Sequence, residues 1–102
     1  MPVDEIKTKI LFEEIQELIN VGKQGDELAA KYIEAGKLIV DEDPNMAVQF
    51  YDKALKVVGV SKKLKMGLLG DIAYAYESLG ETEKADNYIE AAKLSMHSGR
   101  SD

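Results

Sequence analysis

Glycines and helix-capping residues together constrain this chain more than any other feature, because they divide it into five stretches that are each long enough for one helix. Gly22, Gly59 and Gly80 each follow such a stretch, and a glycine at that position ends a helix by taking a left-handed conformation. Ala, Leu, Lys, Glu and Ile, which favour helices, dominate the stretches, and the only prolines are Pro2 and Pro44. The sequence therefore predicts an all-α protein.

Short polar side chains stand where helices would begin, and each can accept a hydrogen bond from a free backbone N–H. The clearest start is Asp43 followed by Pro44, since proline has no N–H to leave unpaired in the first turn. Connections as short as these favour antiparallel neighbours, and the polar tail 97–102 is expected to fray. The predicted helices span 3–21, 27–41, 44–58, 62–79 and 83–96, and the predicted capping residues are Asp26, Asp43, Ser61 and Thr82.

Composition and charge limit the classes of function. The chain has 102 residues and is 45% hydrophobic, which is enough for one domain with one modest core. Its net charge of -6 disfavours nucleic acid as a partner, and the absence of cysteine excludes disulfides and thiolate metal sites. No secretory signal is visible, nor an apolar run of the roughly 18 residues that span a bilayer. A cytoplasmic protein without a membrane partner is therefore expected.

Small residues alternate with large apolar ones in the fourth and fifth predicted helices. Alanines in such a pattern let two backbones approach closely, while larger side chains fill the space on either side. The residues that share one face are Leu69, Ile72, Ala73 and Tyr76 in the fourth helix, then Ala85, Ile89 and Ala92 in the fifth. The pattern resembles the tetratricopeptide repeat, although Ile89 stands where that family usually has an aromatic residue and no proline follows the fifth helix.

An earlier copy of the pattern lies in the second and third predicted helices, so the resemblance covers about residues 28–92. Its residues are Tyr32, Ala35, Gly36 and Ile39, then Ala47, Tyr51 and Ala54. The resemblance implies five antiparallel helices in a right-handed array of helical hairpins. It divides the single domain 1–102 into an N-terminal helix and turn at 1–25, repeat-like hairpins at 26–60 and 61–96, and the tail.

The resemblance also implies a function. In the tetratricopeptide family the first helix of each hairpin lines a concave groove, so we expect a non-enzymatic adaptor or scaffold that binds an apolar segment of a partner or of itself. Gly67 and Gly70 each cost about 1 kcal/mol inside a helix. They therefore indicate either a close backbone contact or a fourth helix that starts after Gly67. By this alignment the groove residues are Ala30, Ile33, Lys37, Val40, Gly67, Gly70, Tyr74 and Glu77.

The first predicted helix carries more apolar surface than one neighbour can cover, since its apolar residues spread over about two-thirds of its circumference. A two-hairpin array also leaves apolar ends, because repeat arrays usually need three units and polar caps. We therefore expect self-association, as a symmetric homodimer. The candidate contact residues are Ile10, Phe12, Ile19, Tyr88 and Leu94.

Three other interpretations stay open. The helices can form a five-helix bundle without a groove, or an obligate subunit of a larger homo- or hetero-oligomer with no peptide groove. Residues 28–63 are also similar to a three-helix module of the microtubule-interacting and transport type.

Residues for catalysis or for a metal site are not evident. His97 is the only histidine and falls in the predicted tail. Asp41, Asp43 and Asn45 have the spacing of a calcium loop, but Met46 occupies the position that needs glycine. We expect no enzymatic activity, no cofactor, no metal and no small-molecule substrate.

Overall fold

A computed structural model describes residues 5–98, and within this range the chain forms five α-helices and no β-strand. The all-α prediction is therefore confirmed for the described residues. Side chains are described through residue 95. Within the predicted tail, the backbone is helical as far as Ser98, and 99–102 lie outside the described residues. The helices are α1 Glu5–Asn20, α2 Asp26–Ile39, α3 Pro44–Leu55, α4 Lys62–Ser78 and α5 Thr82–Ser98.

Two of the predicted glycine stops close their helices in the same way. Gly22 and Gly80 have φ angles of 76° and 79°. The Gly22 N–H donates to the Ile19 carbonyl at 3.0 Å, and the Lys23 N–H donates to the Leu18 carbonyl at 2.9 Å. The same pair of bonds follows α4 around Gly80. These bonds satisfy carbonyls that the end of a helix otherwise leaves unpaired, so both stops are confirmed.

The predicted helix starts are confirmed at Asp43 and Ser61 and wrong at Asp26 and Thr82, since Thr82 is the first residue of α5 and not the residue before it. The Asp43 carboxylate accepts the Met46 N–H at 3.1 Å, and the Ser61 hydroxyl accepts the Leu64 N–H at 3.2 Å. Asp26 is instead the first residue of α2, behind Gly25, and no side chain caps this helix. The Asp26 carboxylate accepts the Ser61 N–H at 2.6 Å, because the turn before α4 lies beside the start of α2.

Backbone atoms tie the start of α2 to the turn between α3 and α4. The Gly25 N–H donates to the Val58 carbonyl at 2.8 Å, and the Val58 N–H donates to Oε1 of Gln24 at 3.2 Å. Together with the bond between Asp26 and Ser61, we call this set the backbone tie. It explains why α3 ends at Leu55, before the predicted residue 58, since the peptide groups of Val58 bond to another part of the chain.

The helix backbones pack mainly on their neighbours in the chain, and α2 also packs on α4. As a result α2 contacts α1, α3 and α4, while α4 contacts α2, α3 and α5. The described molecule measures 42 × 34 × 15 Å, so it is a thin slab. This thinness leaves α2 and α4 with an open face even though each has three helical neighbours.

Small residues occupy many of the most buried positions of the core. Ala29, Ala47, Ala54, Ala75 and Ala85 have no exposed surface. A Cβ atom at Gly36 would lie 2.5 Å from Cε1 of the buried Tyr51 ring, so α2 and α3 come together at a residue that has room for hydrogen only. Small residues therefore set the spacing of this helix pair.

The stripe predicted for α4 is incomplete. The most deeply buried residues of α4 are Leu68, Ile72 and Ala75. Of the predicted stripe, Ile72 and Ala73 are buried, whereas Leu69 and Tyr76 are only half-buried. The reason is that α4 packs on three helices and so buries a wider arc than a single hairpin contact requires.

Candidate functional site

The open face between α2 and α4 contains a cavity of about 320 Å³, which we call the α2–α4 groove. Ile33, Leu64 and Leu68 provide its apolar lining. The remaining lining residues are polar or small, and they carry two carboxylates and two ammonium groups: Asp26, Lys37, Ser61, Lys63, Gly67 and Asp71. The groove thus combines an apolar base with a rim of balanced charge.

Two glycines of α4 leave empty space on this side of the molecule. Gly67 and Gly70 lie within α4, so the interpretation that the helix starts after Gly67 is wrong. A Cβ atom at either position would have no neighbour within 4 Å among the described residues. No internal backbone contact therefore explains either glycine, and the helix carries their destabilising effect without an offset inside the described part of the chain.

Asp71 lies one helical turn beyond Gly67 and is the less solvated of the two groove carboxylates that α2 and α4 contribute. Burial raises the pKa of Asp71 above its ordinary value of 3.8, and the ammonium group of Lys37 partly opposes that shift. The opposition is weak because Lys37 Nζ is 4.0 Å from Asp71 Oδ2 and remains largely exposed. Asp71 is therefore a carboxylate whose charge is incompletely balanced.

Tyr74 continues the same face of α4 and is fixed at one end. Its hydroxyl donates to Asp41 Oδ1 at 2.9 Å, and this bond raises the pKa of Tyr74. The side chain is nevertheless 53% exposed. The bond joins the Tyr74 ring to the residue that follows α2 and Val40, and Tyr74 comes one helical turn after Gly70 on α4.

The predicted groove residues fall into two groups. Ile33 and Val40 are each only 7% exposed. Ile33 still lines the groove, whereas Val40 belongs to the hydrophobic core and offers no surface to a partner. The exposed members are Ala30, Lys37, Gly67, Gly70, Tyr74 and Glu77.

Sequence reasoning missed six of the groove residues: Asp26, Ser61, Lys63, Leu64, Leu68 and Asp71. A signal for three of them was present, since Lys63 and Leu64 precede Gly67 by four and three residues, Asp71 follows it by four, and all three therefore share its helix face. Asp26 and Ser61 had no comparable signal, because their placement depends on how the start of α2 meets the turn before α4.

The residues predicted for self-association are divided between internal packing and open surface. The Phe12 ring lies 5.6 Å from the Phe50 ring, and the Tyr88 ring stacks on the Tyr76 ring at 5.6 Å. Tyr88 is thus largely used within the molecule. Ile10, Ile19 and Leu94 remain exposed.

Metal and membrane sites receive no support from the described residues. No group of three or more histidine, cysteine, aspartate or glutamate residues among them could hold a metal ion. None of the helices in the same range is both long enough and apolar enough to cross a bilayer.

Comparison of the chain with protein-family models, with curated proteins and with solved structures gives no match.

Proposed function

We propose that this protein is a non-enzymatic adaptor that binds a segment of another protein in the α2–α4 groove. In this proposal α2 with α3 and α4 with α5 are antiparallel hairpins of a tetratricopeptide-like array, and α1 covers the outer side of the first hairpin. A cytoplasmic location belongs to the same proposal.

The contact between Gly36 and Tyr51 supports a repeat-like arrangement. In the sequence alignment these two residues occupy the small position of the first helix and the aromatic position of the second. Their close packing is the contact that such an alignment requires. The additional contact of α2 with α4 is likewise what stacked hairpins would produce.

The single observation that carries the binding proposal is the empty space at Gly67 and Gly70. Each glycine destabilises α4 by about 1 kcal/mol relative to alanine, and no internal contact of the described residues uses the space. A bound segment would use it, since its backbone could approach α4 without meeting a side chain. Tyr74 beside this space offers a ring on which an apolar side chain can pack.

The groove favours an apolar segment with one basic group. The side chains of Ile33, Leu64 and Leu68 would contact the apolar part. A lysine or arginine of the segment would approach Asp71 and balance its charge more closely than Lys37 does at 4.0 Å. Such a pair in a partly desolvated groove is worth more than an exposed pair and adds specificity.

A displayed peptide library tests this proposal, with the full chain as bait. The wild-type protein should enrich apolar peptides that carry a basic residue. Gly67→Leu fills the groove and removes a helix-destabilising glycine, so it should abolish enrichment of the peptides that bind in the groove while raising the melting temperature. Gln49→Leu, at an exposed position of α3, is the matched control and should retain enrichment.

This design separates loss of binding from loss of folding. Truncation of Ile33 would not separate the two effects, because the Ile33 side chain is buried and its removal would also weaken the core. Equal enrichment by wild type and Gly67→Leu, or no enrichment by the wild type, would contradict the proposal.

A second candidate function is assembly through the apolar ends of the slab. Ile10 and Ile19 of α1 and Leu94 of α5 are exposed at positions that no helix of the described chain covers. Burial of these side chains between two copies would make the protein a structural subunit. This role and the adaptor role use different surfaces, so one does not exclude the other.

A further inference from the structure

A second apolar surface lies away from the α2–α4 groove. Phe12 of α1, Ile39 at the end of α2, and Met46 and Phe50 of α3 form the apolar part of a cavity of about 630 Å³, which we call the α1–α3 cleft. Phe12 and Met46 are 45% and 41% exposed, so the apolar surface is open to a partner. At its centre the Phe12 and Phe50 rings join α1 to α3.

The cleft continues along α1. A smaller cavity shares Phe12 and Phe50 with it and extends to Ile15 and Ile19. From Glu5 to Ile19, α1 rises by about 20 Å, which is the length of a helix of about four turns. A helix laid along this trough would therefore contact apolar side chains of α1 from Phe12 to Ile19 and polar side chains of α1 nearer Glu5.

Negative charge surrounds the wider part of the cleft. Its described lining contains four carboxylates and one ammonium group, that of Lys9. The carboxylates belong to Glu5, Glu13, Glu42 and Asp43. No three acidic residues in the described chain are arranged to hold a metal ion, so these carboxylates form a rim and not an ion site. An acidic rim around an apolar base selects a partner that combines apolar and basic side chains.

We propose that the α1–α3 cleft binds an amphipathic helix of another protein, with large apolar residues on one face and lysine or arginine at the flanks. Apolar anchors at helical spacing would contact Phe12, Met46 and Phe50, and the flanking cations would meet Glu5 and Glu13. The same charge repels nucleic acid and anionic lipid surfaces. It also disfavours a second copy bound through its own cleft, since the two acidic rims would face each other.

Two synthetic helical peptides of about 15 residues test the charge selection. Both carry leucine at i, i+3, i+4 and i+7 spacing, and they differ only in lysine or glutamate at the flanking positions. Fluorescence anisotropy with the full chain should show binding of the lysine peptide, weakened by added salt, and no binding of the glutamate peptide.

Variants of the protein test whether the lysine peptide binds in the α1–α3 cleft. The double variant Glu5→Lys, Glu13→Lys should weaken binding of the lysine peptide by about tenfold or more. Glu83→Lys on α5 makes the same kind of charge change at an exposed position outside the cleft and should leave the affinity within about twofold. Gly67→Leu should also leave it unchanged, which separates this surface from the α2–α4 groove. Thermal melts establish that each variant is folded.

Three results would overturn the proposal. Equal binding of the two peptides would mean that apolar contact alone attracts them, and binding of neither would mean that the cleft takes no helix. Self-association of the wild-type protein that disappears in the Glu5→Lys, Glu13→Lys variant would show that a second copy occupies the cleft.

Discussion

At the scale of single residues, the contact between Gly36 and Tyr51 sets how closely α2 and α3 can pack. The Tyr51 side chain is 1% exposed, and burial, with Asp71 and Asp41 nearby, raises its pKa to about 12. A ring so enclosed has little freedom to move away. The absence of a side chain at Gly36 is therefore a packing requirement, whereas the same absence at Gly67 and Gly70 is not.

Gly36→Ala should destabilise the protein by about 1–3 kcal/mol, because the new methyl group would overlap the Tyr51 ring and overpacked cores lose that much. The higher helix propensity of alanine offsets only part of this loss. Urea denaturation monitored by circular dichroism measures the difference. An unchanged midpoint would contradict the close packing of α2 on α3.

Asp71→Asn should stabilise the protein at neutral pH. The pKa of Asp71 is raised in the folded state, so the folded protein holds this proton more tightly than the unfolded chain does. Ionisation of Asp71 therefore removes stability as the pH rises from 3.8 through the raised pKa, and asparagine avoids that loss. Melting temperatures across this range should show a gain at pH 7 that disappears below 3.8. If the higher melting temperature of the variant persisted in acid, the stabilisation would not come from removal of the Asp71 charge.

Local chemistry made several residues predictable. Asp43, Ser61, Gly22 and Gly80 act through hydrogen bonds within a few residues of the chain, and the sequence contains both partners of each bond. Asp26 has the same local features, yet its carboxylate bonds to Ser61, which is 35 residues away. The pattern of neighbouring residues cannot reveal such a partner, because the bond depends on how the start of α2 meets the turn before α4.

At the scale of elements, α4 combines deep burial on one side with an unfilled surface on the other. Leu68, Ile72 and Ala75 pack into the core, while Gly67 and Gly70 face open space. The capping residue Ser61 and the glycine stop at Gly80 predicted the helix and its approximate ends. They did not predict the breadth of the buried arc, because that breadth follows from contacts with α2, α3 and α5 together.

Gly67→Ala and Gly70→Ala should each stabilise the protein by about 0.4–1 kcal/mol, since alanine reduces the freedom of the unfolded chain and meets no neighbour in the folded one. The double variant should gain a free energy of unfolding close to the sum of the two single gains. Chemical denaturation measures these values beside Gly36→Ala, which makes the same substitution in α2 with the opposite expected sign. Destabilisation at both positions would mean that the space beside α4 is filled within the molecule.

At the scale of the whole molecule, the slab shape accounts for the exposed apolar side chains at its two ends. A body that is 15 Å thick cannot place every large apolar residue between two layers. Ile10 and Ile19 on α1 and Leu94 on α5 thus remain in contact with solvent. The groove and the cleft arise from the same shape, and neither was predictable from composition.

Sedimentation velocity at tens of micromolar protein should show reversible self-association. Burial of the exposed apolar side chains at the ends of the slab provides the free energy of association. Leu94→Glu should shift the protein toward monomer if α5 forms the contact, and Ile19→Glu should do so if α1 forms it. Gln49→Glu, at an exposed site on α3, is the matched control. A monomer at every concentration would contradict assembly through the ends.

The backbone tie has a consequence for detecting a bound segment. Ser61 donates its N–H to Asp26, and both residues line the α2–α4 groove. A segment seated there would shield this hydrogen from water, so its exchange with deuterium should slow when the groove is filled. The bond that joins the start of α2 to the turn before α4 would then act as an intrinsic reporter of occupancy, readable without any attached label.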